Sequence, residues 1–377
     1  MKIHVIHENP DWYGPLATAF DAEGVPHEEW LLDGGLLDLG SAPPAGVFWS
    51  RMSASSHTRG HLLAKDFTRG VLCWLESYGR RVVNGRGVLE FEMSKMDQLT
   101  ALRSAGFDVP RTVAVAGRSD LVPAAGKLHV PFISKHNQGG KGLGVRRFDS
   151  HEEFAAHVMS AGYTAPVDGI TLLQEYVQAE RPFITRVEIV GGEFVYAIAA
   201  DTSRGGFELC PADACAAGEA DTAAGPGAGV GAGHANGVTA GHAAGRRADG
   251  VTDRVTDRVT DRVTERVTER VTERVTDRVT DRVTEGAKGR ANGLFSLREG
   301  FDHPIVGRYL SFARALGIEI AGFEFIESAD GRLVTYDVNT TTNYSAAIEA
   351  AAPRPALRRV AKFLGRLLAE QAGKGSR

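Results

Sequence analysis

The sequence predicts a mixed α/β (α+β) protein, which is described below in three parts, over about residues 1–90, 91–177 and 178–377. Three observations support this fold class. Short apolar runs alternate with helical segments in the first part, which is typical of an open α/β domain. Later apolar runs are joined in pairs by glycine-containing turns, which is typical of antiparallel hairpins. A low-complexity insertion at about residues 216–292 interrupts the third part and shares no pattern with the rest.

The first part alternates between the two kinds of element. Its predicted strands are Lys2–His7, Ala45–Trp49 and Arg81–Asn84, and its predicted helices are Pro15–Glu23 and Phe67–Tyr78. A strand that leads into a helix and then into another strand is the repeating unit of an open parallel sheet.

The second part begins with a helix near Ser94. Met96, Leu99 and Leu102 lie on one face of that helix, and Gly106 ends it. An extended stretch opens at Pro110, and the remaining predicted elements are the strands Pro131–Lys135, Val145–Phe148 and Ile170–Val177 and the helix His151–Ser160.

The third part is dominated by two predicted hairpins. Gly191–Gly192 joins the strands Ile184–Val190 and Glu193–Ala200, and Asp330–Gly331 joins Ile318–Glu327 to Leu333–Asn339. Two helices are also predicted, Pro304–Ala315 between the hairpins and Ala356–Ala369 at the C-terminal end.

The insertion contains a V-T-D/E-R repeat over Val251–Glu285. In a helix, a four-residue repeat moves each valine about 40° further around the axis, so no stable apolar stripe forms. In a strand, valine shares a face with the acid, so neither face is apolar. We therefore interpret the insertion as a charge-balanced segment outside the folded core, with a binding arm or charged stalk as the alternative.

Composition excludes several classes of function. The 377 residues are 43% hydrophobic and 24% charged, and the net charge of −4 gives no support for nucleic-acid binding. No run of eighteen apolar residues predicts a membrane span, and the N-terminus lacks the apolar core of a signal peptide. The three cysteines, Cys73, Cys210 and Cys215, form no C-x-x-C pair, which favours a cytoplasmic protein.

The segment PFISKHNQGGKGLGVRRF, residues 131–148, combines glycines with lysines. It fits neither the Walker phosphate loop, because Gly142 follows Lys141, nor the dinucleotide fingerprint, because a strand follows the glycines. The remaining interpretation is a flexible flap between two antiparallel strands, whose amides can approach phosphate oxygens without a Cβ clash. A glycine-rich hairpin with a solvated lysine is the alternative.

A group of oxygen ligands lies further along, in GFEFIESADGRLVTYDVNTTTNYS. Asp337 and Asn339 are two residues apart on one strand and therefore share a face. The turn at Asp330–Gly331 can bring Glu324 opposite them. Three hard oxygen ligands of this kind suit Mg²⁺, which takes one or two carboxylates together with substrate phosphates. Solvent-facing acids on an edge hairpin are the alternative.

Five stretches in order resemble the ATP-grasp superfamily: SKMDQLTALRSAGFDVPRT, PFISKHNQGGKGLGV, LLQEYV, TRVEIVGGEFVYAIAAD and FEFIES…LVTYDVN. The resemblance is closest to its carboxylate–amine ligases, such as ribosomal-protein glutamate ligases, glutathione synthetases and D-alanine–D-alanine ligases. It covers about residues 90–215 and 293–350. It implies an ATP-grasp fold in two halves, 91–177 and 178–377, behind a pre-ATP-grasp domain at 1–90.

The resemblance implies a set of nucleotide contacts. Lys95 and Lys135 resemble the lysines that reach the ATP phosphates. The flap that closes over the β and γ phosphates corresponds to Gly139, Gly140, Gly142 and Gly144. The adenine contacts correspond to Glu175, Tyr176 and Val177, and a ribose contact corresponds to Glu180.

The resemblance also implies the chemistry and its ligands. Glu324, Asp337 and Asn339 resemble the ligands of Mg²⁺, with Mn²⁺ as an alternative ion. Arg186 resembles an arginine near the transferred phosphate, and with Lys135 it forms the predicted catalytic pair. The implied partners are a small-molecule or peptide substrate with a carboxylate and an amine co-substrate, with no nucleic acid and no membrane, and with homo-oligomerisation left open.

The sequence departs from the family pattern at the substrate end. The stretch NTTTNYS replaces the usual Asn-Pro-Gly ending, and RGGFELCPADAC is unfamiliar. Candidate substrate contacts are Arg51, Ser53 and Ser55 in the first part, with a surface serine-rich turn as the alternative. Cys210 and Cys215 are more typical of small buried apolar residues than of substrate contacts.

The activity that the resemblance implies is an ATP-dependent ligation. Phosphorylation converts a carboxylate, which has a poor leaving group, into an acylphosphate that an amine can attack. A closing flap would exclude water from that intermediate. Two alternatives remain open: the same cleft could phosphorylate a hydroxyl, as in a kinase, or it could bind ATP as a non-catalytic scaffold.

Overall fold

Three β-sheets organise the protein in the computed structural model, which describes residues 1–140, 142, 144–203 and 294–374. The predictions for the V-T-D/E-R repeat, for Lys141 and for Cys210 and Cys215 lie outside these residues. Within them, the predicted mixed α/β class is confirmed.

The first sheet is parallel, with strand order β2-β1-β3-β4. It consists of β1 (Lys2–His7), β2 (His27–Leu31), β3 (Gly46–Ser50) and β4 (Arg81–Val83), with the helices α1 (Tyr13–Ala22) and α2 (Ala64–Ser77). The three predicted strands are present. The additional edge strand β2 has the sequence HEEWL and only half-buried or exposed side chains, so it lacks the apolar run that marks its neighbours.

The second sheet is antiparallel, with strand order β5-β8-β6-β7. Its strands are β5 (Thr112–Ala116), β6 (Phe132–His136), β7 (Arg146–Phe148) and β8 (Ile170–Glu175), and the nearby helices are α3 (Arg86–Met93), α4 (Lys95–Ser104), α5 (Leu121–Ala125) and α6 (His151–Met159). Ser94 caps α4 by accepting a hydrogen bond from the Asp97 amide. The predicted flap connects β6 to β7, which pair antiparallel.

The third sheet has five antiparallel strands in the order β11-β10-β9-β12-β13. They are β9 (Phe183–Val190), β10 (Glu193–Asp201), β11 (Phe295–Leu297), β12 (Ile320–Glu327) and β13 (Leu333–Asn339). Both predicted hairpins are present, and the helices of this part are α7 (Pro304–Leu316), α8 (Ala346–Ala351) and α9 (Ala356–Lys374).

The C-terminal helix α9 connects the first and third sheets. Phe363 and Leu364 on this helix belong to one buried apolar cluster with Ile3 of β1 and Val190 of β9. Burial of each such large side chain stabilises the fold by about 2 kcal/mol. Gly191 leaves room for the Phe363 ring, because an added Cβ would lie only 2.6 Å from that ring. The helix therefore holds the two sheets at a fixed separation. Of the helices that the structure describes, none is long and apolar enough to cross a membrane.

Candidate active site

A cavity of about 520 Å³ lies where the three sheets approach one another. Its walls come from β6 and β8 of the second sheet, from β9, β12 and β13 of the third, and from the segments that follow β1 and β3 in the first. A cavity of this size is within the range of small-molecule and cofactor sites.

Nearly all the predicted site residues line this cavity. They are Lys95, Lys135, Gly139, Gly140, Gly142, Glu175, Tyr176, Val177, Glu180, Arg186, Glu324, Asp337 and Asn339. Gly144 is not part of the lining; an added Cβ there would lie 3.6 Å from the ring of His136, at the base of the flap. The structure thus brings together residues from five separate stretches of sequence, and their roles remain predictions.

Lys135 is a buried cation. Only 6% of the residue is exposed, and its ammonium group makes no hydrogen bond or ion pair with the described residues. Its ammonium nitrogen lies 6.0 Å from the centre of the Tyr336 ring. Burial, together with the neighbouring Lys95 ammonium, lowers the pKa of Lys135 from 10.5 to about 8. The side chain is therefore mostly charged at neutral pH and is available to an anion in the cavity.

Lys95 lies on the same wall but has a partner. Its ammonium group forms an ion pair with a carboxylate oxygen of Asp337. Burial acts to lower the pKa of Lys95, but Asp337 together with Glu92 and Glu324 outweighs burial and raises it. The backbone amide of Lys95 also donates to the carbonyl of Asn137, at the base of the flap, over 3.2 Å. Two lysines therefore line the cavity, and of these only Lys95 forms an ion pair with a described residue.

The predicted metal ligands face one another across β12 and β13. Glu324 pairs directly with Asp337, and Gly322 pairs with Asn339. A bulge places Tyr336 as an extra residue beside Asp337, and the Tyr336 hydroxyl donates to Glu324 over 2.7 Å. The Asn339 amide donates to Glu324 over 2.9 Å and to Asp337 over 3.3 Å. The prediction that the Asp330–Gly331 turn brings Glu324 opposite the strand of Asp337 and Asn339 is confirmed.

These three side chains fit a small hard cation. The set offers two carboxylates and one amide. It is not a cluster of three or more His, Cys, Asp or Glu residues, and the described part of the chain contains no such cluster that could hold a metal ion. Mg²⁺ accepts such a set, because it takes one or two carboxylates and completes its shell with phosphates and water. Rotation of the Asn339 amide by about 180° would present its oxygen instead of its nitrogen.

Arg186 on β9 lies at the centre of a buried network. It donates to Glu188 over 2.5 Å, to Glu324 over 2.9 Å and to the hydroxyl of Thr342. The Thr342 hydroxyl donates in turn to Glu188. Burial acts to lower the pKa of Arg186, but Glu188 and Glu324 outweigh burial and raise it. The guanidinium is thus permanently charged and held in one orientation.

A glycine on β12 makes room for this guanidinium. An added Cβ at Gly322 would lie only 2.5 Å from the Nε atom of Arg186 and 2.7 Å from its Nη2 atom. Contacts this short are not tolerated, so any larger residue at this position would displace the arginine.

The flap is anchored to the first part of the chain. Lys65 donates to the Gln138 side chain over 2.9 Å, and Gln138 donates to the carbonyl of Ala54 over 3.3 Å. An added Cβ at Gly140 would lie 3.5 Å from Ser55, in ordinary van der Waals contact. The base of the flap therefore lies against the Ser53–Ser55 segment, which also lines the cavity.

Several apolar side chains line the cavity near the predicted adenine contacts. Ile133, Ile326 and Pro110 line it together with the predicted adenine contacts. Arg147 lies over the Tyr176 ring at 4.5 Å, and the Glu180 amide donates to the carbonyl of Glu327 over 2.8 Å. Apolar side chains beside backbone hydrogen-bonding groups suit an aromatic base.

Sequence reasoning did not identify several cavity residues, including Trp12, Glu92, Tyr336 and Asn343. Glu92 on α3 accepts two hydrogen bonds from Thr340, over 2.7 and 2.8 Å, and burial raises the pKa of its carboxyl to about 7. An acidic residue among the apolar residues of α3 is the sequence signal that could have identified Glu92 as a candidate site residue.

The candidate substrate residues are buried, which argues against a surface turn. Ser53 and Ser55 line the cavity. Arg51 is buried behind the wall and donates to Thr342 and Asn343.

Comparisons with known proteins identify the fold. No protein-family model matches the sequence, and no curated protein is significantly similar to it. A solved RimK domain ATP-grasp protein from Sphaerobacter thermophilus DSM 20745 aligns with a TM-score of 0.57 and 14% identity, over 96% of this chain and 99% of that one. The ATP-grasp ligase PsnB, complexed with a minimal precursor, aligns with a TM-score of 0.56 and 14% identity, over 98% and 99%. The D-cycloserine synthetase DcsG aligns with a TM-score of 0.56 and 13% identity, over 97% and 99%. The chain therefore has the ATP-grasp fold, as the sequence resemblance implied.

Proposed function

We propose that the protein is an ATP-dependent ligase that joins a carboxylate to an amine through an acylphosphate. One observation carries this proposal: a single cavity is lined by the glycine flap, by the buried lysine Lys135 and by the oxygen ligands Glu324, Asp337 and Asn339. A triphosphate, a divalent cation and a closing lid are the requirements of phosphoryl transfer. Similarity in fold to ATP-grasp ligases agrees with this assignment.

The lysines and the flap would hold the triphosphate. Lys135 offers an ammonium group that forms no ion pair with a described residue, and Lys95 would exchange its Asp337 contact for a phosphate oxygen. The glycine amides of the flap would donate to the β and γ phosphates without a Cβ in the way. Adenine would occupy the part of the cavity beside Glu175, Tyr176 and Val177, with Glu180 near the ribose.

Glu324, Asp337 and Asn339 would hold the divalent cation, Mg²⁺ or alternatively Mn²⁺. When bound, the ion would neutralise charge that develops on the transferring phosphoryl group. The Mg and ADP in one solved complex of PsnB agree with the choice of ion. In this chain the Tyr336 hydroxyl orients Glu324, whereas the Asn339 amide would give up its contacts with the two carboxylates and turn its oxygen towards the ion.

Arg186 would bind the reacting carboxylate and then the transferred phosphate. Its three buried contacts fix the guanidinium plane, so little reorganisation is needed when charge develops. The acid substrate would be an amino acid or a peptide. Solved neighbours include PsnB with precursor peptide and the macrocyclase MdnC with its precursor peptide. Cysteine usage favours action in the cytoplasm, and the oligomeric state stays open.

Product analysis with a small amine tests the proposal. The protein is incubated with ATP, Mg²⁺, hydroxylamine and a panel of amino acids and short peptides. A ligase releases ADP and phosphate in equal amounts and forms a hydroxamate. A kinase releases ADP without free phosphate and forms a phosphorylated product, and a scaffold binds Mg-ATP without releasing ADP. Either of the last two outcomes would contradict the proposal. Asp302→Asn removes an exposed carboxylate outside the cavity, so this variant should give the same products as the wild type.

A further inference from the structure

Arg51 is an unusual buried charge beside the cavity. The residue is 2% exposed, and its guanidinium lies over the rings of Trp49, at 5.0 Å, and Trp12, at 5.9 Å. One nitrogen, Nη2, donates to the carbonyl of Thr342 and to the Asn343 side chain, each over 2.9 Å. The other two, Nε and Nη1, are buried and have no hydrogen-bond partner among the described residues.

No described carboxylate is paired with Arg51. The one carboxylate that acts on the pKa of Arg51, Glu8, is fully buried and is already bound by Arg59 and by His61. Burial and the charge of Arg51 lower the pKa of His7 to about 4, so this neighbour is neutral near pH 7. Two guanidinium groups and one carboxylate leave an excess of one positive charge, and burial of an uncompensated charge is costly. Such a charge indicates that an anion belongs nearby in the functional state.

Asn343 links Arg51 to the cavity wall through a hydrogen bond. A guanidinium only donates hydrogen bonds, so the amide atom that faces Arg51 must be the Asn343 oxygen. The Asn343 amide nitrogen therefore points away from Arg51, and its two hydrogens have no partner among the described residues. Because Asn343 lines the cavity, it presents hydrogen-bond donors there.

Two hydroxyl groups extend the donor surface. Ser53 and Ser55 line the cavity, and their oxygens lie 2.9 Å apart. Ser53 also accepts from the Ser55 amide, and Ser55 accepts from Arg59 over 3.2 Å. One hydroxyl hydrogen is used between the two serines, so the other is free to donate to a ligand.

We propose that Asn343, Ser53 and Ser55, backed by Arg51, bind a second carboxylate on the acid substrate. This inference rests on the proposed function, in which Arg186 binds the reacting carboxylate. The two guanidinium groups contact one residue, since Arg186 donates to the hydroxyl of Thr342 and Arg51 to its carbonyl. Both proposed anion sites therefore adjoin Thr342–Asn343, and the substrate is a short dicarboxylic acid or a peptide unit with two nearby carboxylates.

Calorimetric titration with matched acids tests the subsite. Glutarate and N-acetyl-L-glutamate carry two carboxylates, whereas butyrate and N-acetyl-L-glutamine carry one. Each is titrated into the full chain in the presence of Mg²⁺ and AMP-PNP. The dicarboxylates are expected to bind about 10- to 100-fold more tightly than their partners, the ratio for charge-assisted hydrogen bonds. Equal affinity within each pair would overturn the inference. Failure of Mg-AMP-PNP itself to bind would instead count against the proposed function.

Asn343→Asp is the most informative variant. The new carboxylate would still accept from Arg51 and would neutralise it, so the melting temperature should be maintained or raised. It would also replace the amide donors with an anion, so the preference for dicarboxylates should be lost while Mg-AMP-PNP binding is retained. Asn343→Ala, which removes the donors and leaves the charge, should lose only part of the preference. Gln371→Glu on α9 adds the same charge outside the cavity and should change neither the preference for dicarboxylates nor the affinity for Mg-AMP-PNP. A full dicarboxylate preference in Asn343→Asp contradicts the assignment.

Discussion

Replacement of Lys135 by methionine should stabilise the free protein while it abolishes nucleotide binding. Burial and the Lys95 ammonium lower the pKa of Lys135 from 10.5 to about 8. At about 1.4 kcal/mol for each pH unit, this difference corresponds to about 3 kcal/mol of unfavourable free energy at pH 7. Lys135→Met fills nearly the same volume without the charge, so the free energy of unfolding should rise by roughly 2 to 3 kcal/mol.

The dependence on pH distinguishes this explanation from a general packing effect. Lys135 holds its proton less tightly in the folded chain than in the unfolded chain. Between about pH 8 and pH 10.5 the unfolded chain therefore binds more protons, and the stability of the wild type rises with pH through this window. The advantage of Lys135→Met should be full below pH 8 and should shrink as the pH approaches 10.5.

Urea unfolding at pH 7 and pH 10, with and without Mg-AMP-PNP, measures both effects. At a nucleotide concentration about 100 times its dissociation constant, the wild type should gain about 2.7 kcal/mol and the variant almost nothing. A variant that is less stable than the wild type at pH 7 would refute the reasoning that burial of the Lys135 charge has a net cost. A variant that still gains the full nucleotide stabilisation would refute the role of Lys135 in phosphate binding.

Three further predictions concern the rest of the chain. Asp337→Asn should reduce Mg²⁺-dependent ATP turnover at least about 100-fold with little loss of secondary structure by circular dichroism; an unchanged rate would argue against the metal site. Gly322→Ala should displace the Arg186 guanidinium by about 1 Å and reduce acid-dependent ADP release about 100-fold, with nucleotide affinity retained; normal turnover would show that the guanidinium position is not critical. Deletion of Val251–Glu285 should shift the melting temperature by less than about 2 °C in calorimetry, because the sequence predicts that this segment lies outside the folded core and a shorter connection changes closure entropy little; loss of cooperative unfolding would show that the repeat is structural.

Much of the fold was predictable because its strong patterns are local. The hairpin strands carry apolar runs with glycine turns between them, and both were predicted close to their observed bounds. The edge strand β2 was missed because its side chains are mostly polar and half-buried or exposed. The three-residue strand β11 was missed because it follows the insertion and is too short to show a period.

The site could be predicted in part for a similar reason. Lys135 and the flap lie within one stretch, and Asp337 and Asn339 share a strand face by simple alternation. The bulge that inserts Tyr336 beside the metal ligands depends on side-chain packing and has no simple sequence signal. The contact of Arg51 with Asn343 joins residues 292 positions apart, so only the folded chain reveals it.

The most direct test of the central claim is a crystal structure of the full chain with Mg²⁺ and AMP-PNP. The account predicts the adenine beside Tyr176, the triphosphate within reach of Lys95 and Lys135, and the ion bound by Asp337 and its neighbours on β12 and β13. Nucleotide bound outside this cavity, or a triphosphate that does not contact Lys135, would contradict it.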